Sequence, residues 1–187
     1  MDTRTLVRIA LVAALIGALG FVPPLYLPIA AGVPITAQSL GVMLAGLLLG
    51  ARGGAAATAL FCFVVLLGAP LLSGGRGGLG ILGTPTAGFF LGFIAGAYVT
   101  GLIAERLGAR GSLPAFLTAV VAAVVGGIGV VYLFGVPVLA LAAGIGLPKA
   151  LLGSAVFLPG DVIKAVGAAL LATTVLRSWS VAVQPRP

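Results

Sequence analysis

The spacing of charge along this chain constrains its fold more than any other feature. No charged residue lies between Arg8 and Arg52, between Arg52 and Arg76, between Arg76 and Glu105, or between Arg110 and Lys149. Each interval is at least as long as the roughly 20 residues an α-helix needs to cross a bilayer's hydrocarbon core. The first and last are long enough for two crossings, or for one crossing and a re-entrant segment. The chain has 187 residues, 61% of them hydrophobic and only 7% charged, with a mean hydropathy of +1.31. A soluble domain of this size needs far more polar side chains to cover its surface. The expected fold class is an all-α membrane protein.

The charge and residue types that remain exclude several functions. The net charge is +7, but the basic residues sit singly at span ends, without clusters or interleaved aromatics, so nucleic acid is not an expected partner. The single Cys62 lies in an apolar run and is read as a small packing residue. Histidine is absent, which removes the commonest metal ligand and the usual acid–base group. Ser73 and Ser154 therefore have no histidine base, and Lys164 is a poor substitute. Glu105 is read as a cytoplasmic loop residue with no second acid for acid–base work. No metal, cofactor or covalent chemistry is expected.

Hydropathy and Gly/Pro punctuation predict six spans in a single domain, at about 5–21, 36–50, 54–72, 85–104, 114–134 and 159–176. Arg52-Gly53-Gly54 marks the turn between the second and third. Arg4 and Arg8 before an apolar run ending in Ala18-Leu19-Gly20 have the outline of a secretory signal. Everything that follows is also apolar, so a retained first helix is the simpler reading. With a cytoplasmic N-terminus, Arg4, Arg8, Arg52, Arg106, Arg110, Arg177 and Arg186 fall on the cytoplasmic side, and Arg76, Lys149 and Lys164 on the other. That seven-to-three division obeys the positive-inside rule and predicts both termini in the cytoplasm. The external connectors, Phe21 to Ile35 and Val136 to Leu158, are apolar yet broken by Pro and Gly. They are expected either to wall or cover a pocket, or to pack on the helix ends.

Phe157-Leu158-Pro159-Gly160-Asp161-Val162-Ile163-Lys164-Ala165 is the sharpest local feature. Pro159-Gly160 signals a helix start, and Asp161 falls where a carboxylate caps free amides and meets the helix dipole. Lys164, three residues on, shares its helix face. Two charged groups in a span are tolerated where they face a cavity and bind something polar, such as a ureide or amide. The alternative is a self-satisfied ion pair that fixes the helix. In Gly32-Val33-Pro34-Ile35-Thr36-Ala37-Gln38-Ser39, Thr36 and Ser39 are candidate caps of the second helix, and Gln38 offers a donor and an acceptor to a pocket.

The G-x-G-x-x-G of Gly75 to Gly80 has neither a preceding strand nor a βαβ unit, so it is read as a tight external loop. Arg76 within it is read as a solvated loop charge, or else as an attractor of an anionic substrate group. There is no G-x-x-x-x-G-K-[ST], hence no P-loop. Small residues four apart recur at Ala10, Ala14 and Ala18, and at Gly88, Gly92 and Gly96, as close helix contacts require. The alanine stripe faces either the bundle or a partner subunit.

In the Gly32 to Ser39 segment, at Gly77 to Phe89 and above all at Pro159-Gly160-Asp161-Val162-Ile163-Lys164, the chain resembles the BioY family, the biotin-specific S components of energy-coupling factor transporters. The likeness runs through almost the whole chain. It implies the six-helix S-component fold, with a solute site near the extracytoplasmic surface, in a bacterial-type cell membrane. It further implies that Asp161 and Lys164 hold the bicyclic ureido head of biotin. The alanine stripe would dock on a transmembrane coupling subunit, energised by ABC-type ATPase subunits supplied in trans. One departure concerns the segment Ser73-Gly74-Gly75, where family members often carry a ligand-contacting Asn. This chain has no Asn, so the contact is lost, replaced by Ser73 or backbone, or taken over by Gln38. Thr84-Pro85-Thr86-Ala87-Gly88 likewise stands for the more usual G-P-T-G-G. The expected site thus comprises Asp161, Lys164, Gln38, Ser73, Gly88 and Thr36. An S component for another vitamin and a stand-alone channel or structural membrane protein are the alternatives. The gathering of polar residues at one end favours a capture site over a channel.

Overall fold

The computed structural model describes residues 2–26, 34–111 and 113–182. The middle of the first connector, including Leu27-Pro28 and Gly32-Val33, lies outside these residues, as does Arg186. Helix α1 (Thr3–Ala18) starts at Asp2, whose carboxylate accepts the Arg4 amide at 3.2 Å, and ends in a single 3₁₀ turn, Leu19–Phe21. Two residues of strand β1 (Leu25–Tyr26) pair antiparallel with β2 (Pro34–Ile35), a minor exception to an otherwise helical chain. Helix α2 covers Gln38–Leu66, and after a loop and a 3₁₀ turn (Leu79–Gly83) comes α3 (Ala87–Arg110). Helix α4 (Ala115–Ala122) passes through a π-helical stretch, Ala123–Val130, into α5 (Val131–Ala143). Short α6 (Leu147–Ala155) and long α7 (Leu158–Ala182) complete the fold.

Helix α2 is two limbs rather than one rod. Gly50 has φ 73° and ψ −174°, a conformation that side chains disfavour, and helical geometry resumes at Ala51. A Cβ on Gly54 would lie 2.8 Å from the Ala45 carbonyl, although nine residues of straight helix span about 13 Å. The chain therefore folds back at Gly50. The sequence placed this turn at Arg52-Gly53-Gly54, two residues late. The second limb begins with unpaired amides, and Glu105 of α3 supplies an acceptor, its Oε1 receiving the Ala51 N–H at 2.9 Å. Glu105 is thus a helix residue that caps another helix, not the loop residue its surroundings in sequence suggested.

Among the described residues, five helical stretches are long and apolar enough to cross a membrane: Thr3–Phe21, Gln38–Leu66, Ala87–Gly108, Ala115–Ala143 and Leu158–Arg177. Where α7 and α3 pack, small residues take the inward face. On α7, Ala165, Ala168, Ala169 and Ala172 are buried, while Ile163 and Leu170 face outward. Small residues inside bring helices close, and lipid tails accept the bulky residues outside. The Gly88, Gly92 and Gly96 stripe does the same for α3. Added Cβ atoms there would meet Phe134 O at 2.4 Å, Val131 O at 3.1 Å and Val131 Cγ2 at 2.6 Å, so the stripe seats α5.

The second connector corrects the expectation of a broken segment from Val136 to Leu158. Helix α5 continues through Pro137 to Ala143, ends at left-handed Gly144 (φ 65°), and α6 follows with Pro148 in its first turn. A proline removes one amide and crowds the preceding turn, but close packing on both sides holds the helix together: Gly135, Val136 and Leu139 are all buried.

Helix contact through glycine is testable at Gly126 in the π stretch. A Cβ there would fall 2.2 Å from Thr100 Oγ1 and 2.4 Å from the Thr100 amide nitrogen, and backbone cannot give way. Gly126→Ala is expected to cost about 1–3 kcal/mol, seen as a lower unfolding temperature in detergent. Gly167→Ala, with nothing within 4 Å of the new methyl, should match or slightly exceed the parent.

Candidate functional site

One end of the bundle forms a partly open cavity. Its walls come from the first turns of α2, α3 and α7, from the π stretch and α5, and from the loop joining α2 to α3. Phe89, Phe90, Phe93, Phe157 and Val131 give it an apolar body, and Thr36, Ser39, Arg76, Thr86, Tyr132, Asp161 and Lys164 bring polar groups to it.

The polar centre is built on α7. Pro159 and Gly160 open that helix, and the Asp161 amide is already bonded to the Phe157 carbonyl at 2.9 Å. The Asp161 carboxylate does not cap free amides, as its position in sequence suggested; it collects side chains from three elements instead. Lys164 Nζ donates to Oδ1 at 2.8 Å, Ser39 Oγ donates to the same oxygen at 3.3 Å, and the Tyr132 hydroxyl donates to Oδ2 at 2.7 Å. Lys164 Nζ also donates to Ser39 Oγ at 3.1 Å. Asp161 is 7% exposed, and in such surroundings a carboxylate without these donors would pay heavily for its desolvation. The pair faces the cavity, and it is not fully self-satisfied. Three of about four lone-pair positions on the carboxylate and two of three ammonium hydrogens are engaged among the described residues.

Ser39 was expected to cap α2, and so was Thr36. Neither does: Ala37 occupies the cap position and no side chain bonds there. Ser39 is drawn to the ion pair, a stronger attraction than neutral amides offer. Thr36 lines the cavity. Gln38 borders the cavity but spends its bonding capacity on the protein. Its Nε2 donates to the Ile16 carbonyl at 3.2 Å and the Leu71 carbonyl at 3.0 Å, and its Oε1 accepts the Ser73 amide at 3.0 Å and the Ser73 hydroxyl at 3.2 Å. All its donors and acceptors are used, so it fastens α1, α2 and the following loop together. Ser73 is 1% exposed and directed to Gln38, and Gly88 is packed under Phe134; the structure brings neither to the cavity wall.

Tyr132 escaped the sequence reading altogether, whereas Arg76 was given two readings there. Tyr132 stands in an apolar run 29 positions from Asp161, and no periodicity links them. The only signal was a phenol in a span, which needs a partner when buried. Its ring meets Phe89 edge to face, with centroids 5.7 Å apart. The π stretch immediately before it alters the helical register, a deviation frequent at functional sites. Arg76, read chiefly as a solvated charge, is half-buried on the cavity wall. Glycines at left-handed φ (Gly74 81°, Gly75 70°, Gly78 84°) turn its loop back so that Leu72 and Arg76 pair as an isolated antiparallel bridge. On α1, Ala10, Ala14 and Ala18 are all exposed, so the stripe does not pack inside this chain.

A helical membrane protein with a partly open cavity of aromatic walls and a polar cluster at one bundle end has the outline of a solute-binding component. Comparison with known proteins makes the class specific. Residues 1–181 match the model of the BioY family. The chain is 54% identical to the biotin transporter BioY of Rhizobium etli over 94% of its own length and 95% of that protein. It is 47% identical to the Rhodobacter capsulatus biotin transporter BioY, covering 92% and 93% of the two chains. The crystal structure of an S component for biotin from an ECF-type ABC transporter superposes with a TM-score of 0.85 and 28% identity, over 95% of each chain. The chain belongs to the BioY family.

Gln38→Leu tests the fastening role. It strands the Ile16 and Leu71 carbonyls and the Ser73 amide in a buried setting, at roughly 1–3 kcal/mol for each group left unpaired. The expected result is a lower unfolding temperature and faster proteolysis within residues 71–76 of the purified protein. An unchanged protein would deny that role.

Proposed function

We propose that this chain is the biotin-binding subunit of a vitamin-uptake transporter. The observation that carries the proposal is the Asp161, Lys164, Ser39 and Tyr132 cluster facing an aromatic cavity, in a member of the BioY family. Biotin's fused ring system presents two ureido N–H donors, one carbonyl acceptor and an apolar thioether ring. The open lone-pair position of Asp161 takes a ureido N–H, and the remaining Lys164 hydrogen donates to the ureido carbonyl. Phe89, Phe93 and Phe157 cover the apolar ring face, where aromatic surface displaces water.

The membrane arrangement follows from charge and from the turn at Gly50. Counted as two limbs, α2 raises five apolar stretches to six crossings. Both termini are cytoplasmic on the positive-inside rule, and the cavity opens to the extracytoplasmic side of a bacterial-type plasma membrane. The exposed Ala10, Ala14 and Ala18 stripe is the docking surface for a transmembrane coupling subunit. The chain has no P-loop, so ATPase subunits of the complex supply the energy.

Equilibrium binding of biotin to the purified protein tests the ligand. Tight binding is expected for the parent, with a loss of about 10- to 100-fold or more in Asp161→Asn and in Lys164→Ala, since each strands a buried partner. A parent that ignores biotin and binds a different vitamin would sink the reading. For the docking surface, Ala14→Trp should bind biotin as the parent does while uptake by the assembled complex is lost. Lost binding would mean that the stripe serves the fold.

A further inference from the structure

The acidic residues of this chain are few enough to account for completely. There are three: Asp2, Glu105 and Asp161. Asp2 caps α1, Glu105 caps the second limb of α2, and Asp161 is paired with Lys164. Arg76 therefore has no side-chain carboxylate as a partner, although it lines the same cavity as the Asp161–Lys164 pair.

Its guanidinium is nonetheless held in place. Nε donates to the Ser73 carbonyl at 3.2 Å and Nη1 donates to Thr86 Oγ1 at 3.1 Å. Thr84 Oγ1 donates to the Ile81 carbonyl at 2.7 Å, so the 2.9 Å contact between Thr84 and Thr86 is donated by Thr86, whose oxygen stays an acceptor for Arg76. Ser73 is itself fixed by Gln38. All these partners are neutral. They orient the fork while leaving its charge uncompensated and three of its five N–H groups without a partner among the described residues.

The electrostatic sum of the cavity follows. The Asp161–Lys164 pair contributes no net charge, and Arg76 contributes one positive charge among the described lining residues. A half-buried, preoriented cation beside an apolar surface favours an anion of matching charge, and a planar carboxylate suits the guanidinium fork. We propose that Arg76 recognises the carboxylate tail of the solute and makes this site selective for monocarboxylates. This rests on the biotin reading, because biotin carries such a carboxylate on a flexible chain remote from its ureido head.

The test compares biotin with its neutral carboxamide, biotinamide, on the purified full chain in detergent, for the parent, R76Q and R76K. The parent should prefer the acid by about 10- to 100-fold, the range for a hydrogen bond to a charged group. R76Q should hold acid and amide within about threefold of each other, and R76K should fall between. Equal binding of acid and amide by the parent would overturn the role of Arg76 while leaving biotin as the ligand. So would a R76Q protein that keeps the preference, or one that loses both ligands alike. A parent that binds neither compound would overturn the biotin reading itself.

Discussion

The Asp161 carboxylate is the interaction on which the functional end of this molecule depends. An ionised carboxylate that is 7% exposed, in a chain built for lipid, survives only with several donors around it. Those donors come from α2, α5 and α7, so satisfying one charge fixes the relative placement of three helices. Ser39 at the start of α2 and Tyr132 just past the π stretch are each separated from Asp161 by long stretches of chain. The requirement to neutralise and solvate this group from within thus shapes the cavity as well as its chemistry.

Gln38 extends the same logic to another wall. It neighbours Ser39 in sequence, yet its side chain is directed to α1 and to the loop at 71–73. Adjacent residues on a helix point about 100° apart, so one turn of α2 braces two walls at once. Through Ser73 it also supports Arg76, which places a positive charge in the same cavity as a neutralised pair. Where α7 and α3 pack, alanine and glycine take the inward face, while Ile163 and Leu170 of α7 face outward. That division leaves the polar end as the place where a solute finds hydrogen bonds.

Much of this was legible in the chain itself. Charge gaps longer than a membrane crossing required helices, and the isolated Asp161 and Lys164 in an apolar segment stood out as the pair that the structure places on the cavity wall. Helix boundaries were less legible. Gly50 was passed over in favour of the glycines after Arg52, because sequence shows which residues permit a left-handed turn but not which one adopts it. Pro137 was taken as a break, because its tolerance depends on neighbours that only the packed helix possesses. Ser73 and Gly88 were assigned to the site by likeness, and the structure gave them structural partners instead.

Sequence alone determined that this chain lives in a membrane as helices, and that its polar chemistry gathers at one end. Both follow from the cost of placing charge and open backbone in hydrocarbon, which is paid residue by residue and so is visible without coordinates. Tertiary structure alone decided which polar groups are spent on the fold and which remain for a ligand. Gln38 and Ser39 stand side by side, yet one is consumed by backbone and the other faces the cavity. Arg76 changed from a loop charge to an oriented, unpaired cation for the same reason: hydrogen bonds are short and directional, and partners distant in sequence are known only once the helices have packed.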